Sequence, residues 1–324
     1  MKTSKMRRLC LAAGLAALLA APALAQTPYP AQPIKLIVPY PAGGATDTLA
    51  RTIGQKLQEA WGQTAMVENR PGAGGTIGNS VVAKAAPDGY TVLIGITALI
   101  QQPTLMEKLP YDPLKDLAPV TMIARSPSML AVPLDSPAKD LKSFIALVKA
   151  SPGKYNFGSY GAGTSSHIQG ALLNMQAGID LVHVPFQGAA PLVTNLMGGQ
   201  LASAFIDSAT ARPHLKSMRP LAVTGTQRMP GLPDVPTFAE LGYHSFDPYG
   251  WFGVFLPAAT PAPVVQKLSD EINRIVHLPE VSAKIEALGL QVAGGKPEEF
   301  QKVVRGDAAI YAKIIKDANI RVAQ

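Results

Sequence analysis

Two glycine-rich loops hold the residues whose types and spacing could do chemistry. The first is Tyr40-Pro41-Ala42-Gly43-Gly44-Ala45-Thr46-Asp47. It follows the short apolar run 34–38 and opens a segment in which Leu49, Ile53, Leu57 and Trp61 recur every fourth residue. Glycines at such a junction let main-chain N–H groups approach a ligand, and a helix start adds about half a positive charge. Together these make an anion site that needs no cationic side chain. The same spacing equally suits an ordinary strand-to-helix turn capped by Thr46 or Asp47. The second loop is Gly158-Ser159-Tyr160-Gly161-Ala162-Gly163-Thr164-Ser165-Ser166-His167. It adds the hydroxyls of Ser159, Thr164, Ser165 and Ser166, which suit carboxylate or phosphate oxygens. A Ser/Thr cap on a glycine turn is the alternative there. If the two loops face each other, a small anion sits between two helix starts.

Other chemistries find less support. Gly158 to Gly163 has the glycine spacing of a P-loop, but Thr164 stands where lysine is required. No G-x-S-x-G elbow and no H-E-x-x-H is present. His167, His183, His214, His244 and His277 have no metal-ligand spacing, so neither a metal nor a cofactor is expected. The sequence leaves open a secreted hydrolase built on Ser159, His167 and Asp207. Read locally, His167 is a hydrogen-bonded loop residue, and Arg70 supports the loop it enters. Asp207 either faces a cleft or caps the next helix.

The elements that must position these loops begin after a leader. Lys2, Lys5, Arg7 and Arg8 precede an apolar run over 9–21, and Ala23-Leu24-Ala25 ends the segment. That is the pattern of a secretory signal peptide over 1–25. Cys10 opens the apolar run, which argues against lipid attachment. Removing four bases and no acid lowers the formal charge from +7 to +3, so nucleic acid loses its electrostatic footing as a partner. The single cysteine leaves too, and with it thiol and disulfide chemistry. No later stretch is apolar for long enough to span a bilayer. A soluble periplasmic product is expected. Of its 324 residues, 47% are hydrophobic and 16% charged, which excludes disorder as the main state. At this length about two domains are expected.

Apolar runs at 34–38, 65–67 and 90–96 read as strands, with helices at 49–61 and 79–86 between them. The rhythm predicts parallel sheets covered by helices. The middle of the chain repeats it: strands at 129–132, 155–157, 180–184, 204–206 and 221–224, and helices at 143–150, after the second loop, at 191–197 and at 209–216. The tail has a strand at 251–256 and then helices at 263–276, 279–288 and 297–318.

On these motifs the chain resembles the Bug-type extracytoplasmic receptors of the tripartite tricarboxylate transporter group. The resemblance rests on Val38-Pro39-Tyr40-Pro41-Ala42-Gly43-Gly44-Ala45-Thr46-Asp47, on Val67-Glu68-Asn69-Arg70-Pro71-Gly72-Ala73-Gly74-Gly75 and on Ala86-Pro87-Asp88-Gly89-Tyr90-Thr91. His183-Val184-Pro185-Phe186 with Gly188, Leu232-Pro233-Asp234-Val235-Pro236-Thr237 and Trp251-Phe252-Gly253 extend it. It implies an α/β, two-lobed fold like that of type II periplasmic binding proteins, with mostly parallel sheets and a cleft between lobes. Lobe 1 would comprise 26–125 and 251–324, and lobe 2 would comprise 126–250. The crossings would fall near 124–128 and 250–254. It implies a monomeric receptor without catalysis, which captures a small carboxylated metabolite and docks to permease subunits in the membrane. The implied ligand contacts are Tyr40, Ala42, Gly43, Gly44 and Asp47 in the first loop. Ser159, Gly161, Gly163, Thr164, Ser165 and His167 lie in the second, with Thr97, Ala98 and Asp207 in the same cleft. Two positions depart from the family pattern: Ala171 replaces an acidic residue and Gln187 a basic one. The second departure puts a tricarboxylate in doubt and leaves a monocarboxylate or an aromatic acid open.

Overall fold

The computed structural model describes residues 29–186, 188–229, 231–246 and 250–321. The expected leader at 1–25, Cys10 and Gln187 lie outside the described residues. The chain opens with β1 (Ile34–Val38), α1 (Ala45–Trp61), β2 (Ala65–Asn69), a 3-10 turn (Ala73–Gly75), α2 (Thr76–Ala83), β3 (Thr91–Ile96), α3 (Ala98–Leu105) and β4 (Leu117–Ser126). A second series follows: β5 (Ser128–Pro133), α4 (Leu141–Lys149), β6 (Asn156–Ser159), α5 (Ser165–Ala177), β7 (Val182–Pro185), α6 (Ala189–Met197), β8 (Ser203–Asp207), α7 (Ser208–Ala211) and β9 (Met218–Val223). The tail is β10 (Gly250–Pro257), α8 (Ala262–Val276), α9 (Pro279–Ala287), β11 (Gln291–Val292) and α10 (Pro297–Asp317).

The strands form two sheets, ordered β11-β4-β10-β3-β1-β2 and β7-β6-β8-β5-β9. β1 is buried on both faces except at Lys35, as a strand inside a sheet covered by helices must be. α1 packs Leu49, Ile53 and Leu57 inward and stops at Gly62, which takes the left-handed conformation that ends many helices.

The sheets are mixed rather than mostly parallel. Among the described residues the pairs β1–β2, β1–β3, β6–β7 and β6–β8 are parallel, and the others are antiparallel. The reason lies in the strands that link the two sheets. β4 leads directly into β5, which enters the second sheet from the side on which β6 and β8 end. It therefore runs against β8 and β9. β10 returns to the first sheet in the same manner and runs against β3 and β4. β4 and α3 have no counterpart in the strand and helix pattern of the sequence, because Pro119 interrupts one and Pro103 the other.

Few aromatic residues serve the core, and they are deeply placed. Phe157, Phe205, Phe238, Phe255, Phe300 and Trp251 are fully buried, and aliphatic side chains fill the rest. No helix among the described residues is long and apolar enough to cross a membrane.

Candidate functional site

In both sheets the parallel strands end on the side that carries the loops, and helices start from those ends. Ligands in open α/β sheets bind outside the carboxyl ends of strands. β1 leads through 39–44 to α1, β3 through Thr97 to α3, β6 through 160–164 to α5, and β8 directly to α7. The first residues of all four helices, or their caps, open on to one cavity of about 390 Å³: Ala45, Thr97 and Ala98, Thr164 and Ser165, and Asp207. A helix start leaves its first N–H groups without intrahelical acceptors and carries positive partial charge. α7 is a single turn and contributes little of that charge. No lysine, arginine or histidine is found among the described residues lining the cavity.

Five of the residues expected from sequence line it: Thr97, Ala98, Thr164, Ser165 and Asp207. Thr97 is held across the sheet, its N–H reaching the Trp251 carbonyl at 3.2 Å and its Oγ1 accepting from the Trp251 amide at 2.7 Å. Ser165 Oγ accepts from Gln101 Nε2 at 2.8 Å, which ties α3 to α5. Asp207 caps α7 by accepting from the Thr210 amide at 2.9 Å, and its other oxygen takes the hydroxyls of Tyr160 and Thr210. Both local readings of Asp207 thus hold, since it faces the cavity and caps a helix.

The remaining expected residues lie outside the lining and belong to the loops around it. Asp47 is buried in the first turn of α1 rather than capping it. Its carboxylate accepts from the Gly43 amide at 2.9 Å, from Arg51 Nε at 3.0 Å and from Asn69 Nδ2 at 3.0 Å. The Arg51 guanidinium holds that carboxyl below the usual range. Tyr40 turns inward beside Gly75, and its carbonyl accepts from Asn69. Burial raises the pKa of its hydroxyl. Ala42, Gly43 and Gly44 are exposed and outside the lining. Gly43 has φ +87°, a conformation that favours glycine, and so does Gly163 at φ +76°. The Arg70–Gly78 segment buttresses the first loop: a Cβ on Gly78 would meet Pro39 at 2.8 Å.

The second loop is closed in the same way. Thr164 Oγ1 donates to the Gly161 carbonyl at 2.7 Å, and Ser166 Oγ accepts from the Tyr160 amide at 3.0 Å. The Gly163 amide donates to His167 Nδ1 at 3.0 Å, which leaves the proton of a neutral imidazole on Nε2. His167 stacks on His183 with ring centroids 3.7 Å apart. Burial lowers the pKa of His167. It also lowers that of His183, with help from the adjacent His167, to about 4. Ser159, Gly161, Gly163 and His167 therefore stay outside the lining.

The residues Ser159, His167 and Asp207 do not join as a triad. Ser159 is fully buried and meets His183 Nε2 instead, at 2.7 Å. His167 serves Gly163, and Asp207 serves Tyr160 and Thr210. Sequence reasoning missed Gln101 and Gln169, which line the cavity one helical turn beyond Thr97 and Ser165. That spacing was the available signal. No cluster among the described residues could hold a metal ion.

A family model described as "Tripartite tricarboxylate transporter family receptor" matches residues 49–320. The chain belongs to this family of receptors. The receptor is 39% identical over 300 residues to a protein of Pseudomonas sp. (strain P51) described as "UPF0065 protein in tcbD-tcbE intergenic region". The match covers 91% of this chain and 89% of that one. Among solved structures, R. palustris Rpa4515 with adipate is 32% identical with a TM-score of 0.78, covering 91% of this chain and 100% of that one. The periplasmic binding protein BugD is 31% identical with a TM-score of 0.75, covering 91% and 100%. The two solved structures share the two-lobed α/β fold, and the family is one of receptors rather than enzymes, BugD being a periplasmic binding protein. For this receptor the Ser159–His183 contact is accordingly part of the loop scaffold.

Proposed function

We propose that this receptor works in the periplasm and captures a small organic carboxylate in the cavity, for delivery to permease subunits of a tripartite tricarboxylate-type system. One observation carries the reading. Helix starts from both sheets open on to a single cavity that holds no cationic side chain among the described residues. Such a site suits a carboxylate gripped by main-chain amides, each charge-assisted hydrogen bond contributing about 1.5–3 kcal/mol. Adipate in the Rpa4515 structure and the periplasmic character of BugD support the same reading. The wiring of Asp47, Thr164, Ser166 and His167 into their own loops supports it as well, because it holds the loops rigid. The two lobes are 26–125 with 251–324, and 126–250. They close on the ligand by a hinge, and the chain acts as a monomer after removal of 1–25.

Native mass spectrometry of freshly purified protein tests the proposal, followed by thermal shifts against mono-, di- and tricarboxylates. Ligand binding raises apparent stability by mass action. The expected result is a bound organic acid, or a melting temperature raised by at least one acid class and not by its amide. Turnover of model esters that disappears in Ser159→Ala would overturn it.

A further inference from the structure

The cavity also holds a side chain whose hydrogen-bonding capacity the protein does not use up. Gln169 lies in α5, lines the cavity and is only 6% exposed. Its Oε1 accepts from Ser128 Oγ at 3.0 Å, and Ser128 Oγ lies 3.3 Å from Thr224 Oγ1. Thr224 Oγ1 in turn accepts from the Ser128 amide at 2.9 Å. The chain thus runs from the Ser128 N–H through the hydroxyls of Thr224 and Ser128 to the Gln169 carbonyl oxygen, and each hydroxyl hydrogen has an acceptor. Run the other way, with Gln169 donating to Ser128, one of the two hydroxyl hydrogens has none among the described residues. Gln169 Nε2 meets no acceptor among the described residues, yet it is not sealed in as Asn79 Oδ1 and the Tyr311 hydroxyl are. The open space beside it is the cavity. Other lining groups are spent within the protein: the Tyr160 and Thr210 hydroxyls on Asp207, the Thr164 hydroxyl on Gly161.

We infer that Gln169 is a ligand-binding residue: its side-chain amide donates to an oxygen of the bound acid that can only accept, a carboxylate or carbonyl oxygen, in the orientation that Ser128 and Thr224 impose. This rests on the carboxylate reading above. Before binding, water satisfies the amide, which is neutral and needs no counter-charge. A ligand that displaces that water must supply an acceptor, since a buried donor left without one costs the complex its desolvation. A site built in this way rejects molecules that lack the matching atom more strongly than a hydrophobic pocket rejects a misfit. The direction of the amide is set in advance, by a hydroxyl at the start of β5 and another just beyond β9. Little ordering is then left for the moment of binding.

The test uses the full exported protein, freed of ligand by exhaustive dialysis. Isothermal titration with acetate, benzoate, malate, adipate and citrate selects the acid that binds most tightly. Gln169→Met, which keeps the length of the side chain and removes the donor, should weaken that acid about tenfold or more. Gln169→Glu, which turns the donor into a like charge, should weaken it further. In the natural protein labelled with nitrogen-15, the side-chain amide signals of Gln169 are the pair missing from Gln169→Met. They should move as the same acid is added, which a merely structural glutamine would not show. Ser128→Ala frees the amide to rotate and should cost a smaller factor; no cost overturns the part given to Ser128. Unchanged affinity in Gln169→Met, or amide signals that stay still in the natural protein, overturns the inference and leaves the carboxylate receptor standing. If none of the five acids binds, the carboxylate reading itself falls, and the inference with it.

Discussion

Acid should unlock the second loop through the stacked histidines. In the fold the His183 ring stacks against Phe157, at 4.9 Å, and against His167, at 3.7 Å. Its pKa is lowered to about 4 from the ordinary 6.5, by burial first and by His167 second. The folded state therefore resists the proton, while the unfolded chain takes it up as pH falls below 6.5. Stability tied to this group is complete above that pH, declines between 6.5 and about 4, and levels off once the folded state is protonated too. At about 1.4 kcal/mol per pKa unit the ceiling is about 3 kcal/mol. Partial solvent access at His183 reduces that to about 1.5 kcal/mol. His183→Phe keeps a ring in the stack, removes the titration and loses the bond to Ser159. It should be about 1 kcal/mol less stable than the natural protein at pH 7 and lose that deficit by pH 4.5. Urea unfolding followed by circular dichroism at pH 7, 6, 5 and 4.5 measures both proteins. If the difference between them is the same at every pH, the buried neutral stack is wrong. Ligand affinity of the natural protein should also fall in acid, because a protonated His167 Nδ1 no longer accepts from the Gly163 amide.

Two further predictions concern other buried groups. Burial raises Asp307 to about 6, against the opposing pull of the Trp251 indole N–H at 3.1 Å and of Arg125. The penalty on its ionised form is absent below pH 3.8 and grows as pH rises through 6. Asp307→Asn should therefore stabilise the fold by about 1–2 kcal/mol at pH 8 and by nearly nothing at pH 4, read as melting temperature. An equal gain at both pH values would refute the cause given. Gly170 lies in α5 where a Cβ would meet the fully buried Phe157 ring at 2.0 Å. Gly170→Ala should cost about 1–3 kcal/mol, and adding Phe157→Leu should recover part of it; no loss in the single variant would show that the contact yields freely.

The starts of α1, α5 and α7 are legible in the chain because their signals are local, and that of α3 is not. Glycines after an apolar strand, with a four-residue apolar period behind them, announce a strand–loop–helix junction wherever it lies in space. Thr97 and Ala98 follow the continuous run of β3, and Asp207 follows that of β8. The functional motif Trp251-Phe252-Gly253 was visible too, but as a pattern without a place. Its tryptophan and phenylalanine line the cavity because β10 returns antiparallel beside β3. The direction of β10 depends on how the chain passes between sheets, which no short window encodes.

The amino-acid sequence alone thus determined where strands hand over to helices, since periodicity and glycine placement report burial and backbone freedom. It did not determine which side chains remain for the ligand. Asp47 is spent on Gly43, Arg51 and Asn69, and His167 on Gly163. Ser159 pairs with His183 from the neighbouring strand β7 rather than with His167 in its own loop. Hydrogen-bond partners are chosen by distance through space, and that distance exists only after the strands have taken their order and direction in the sheets.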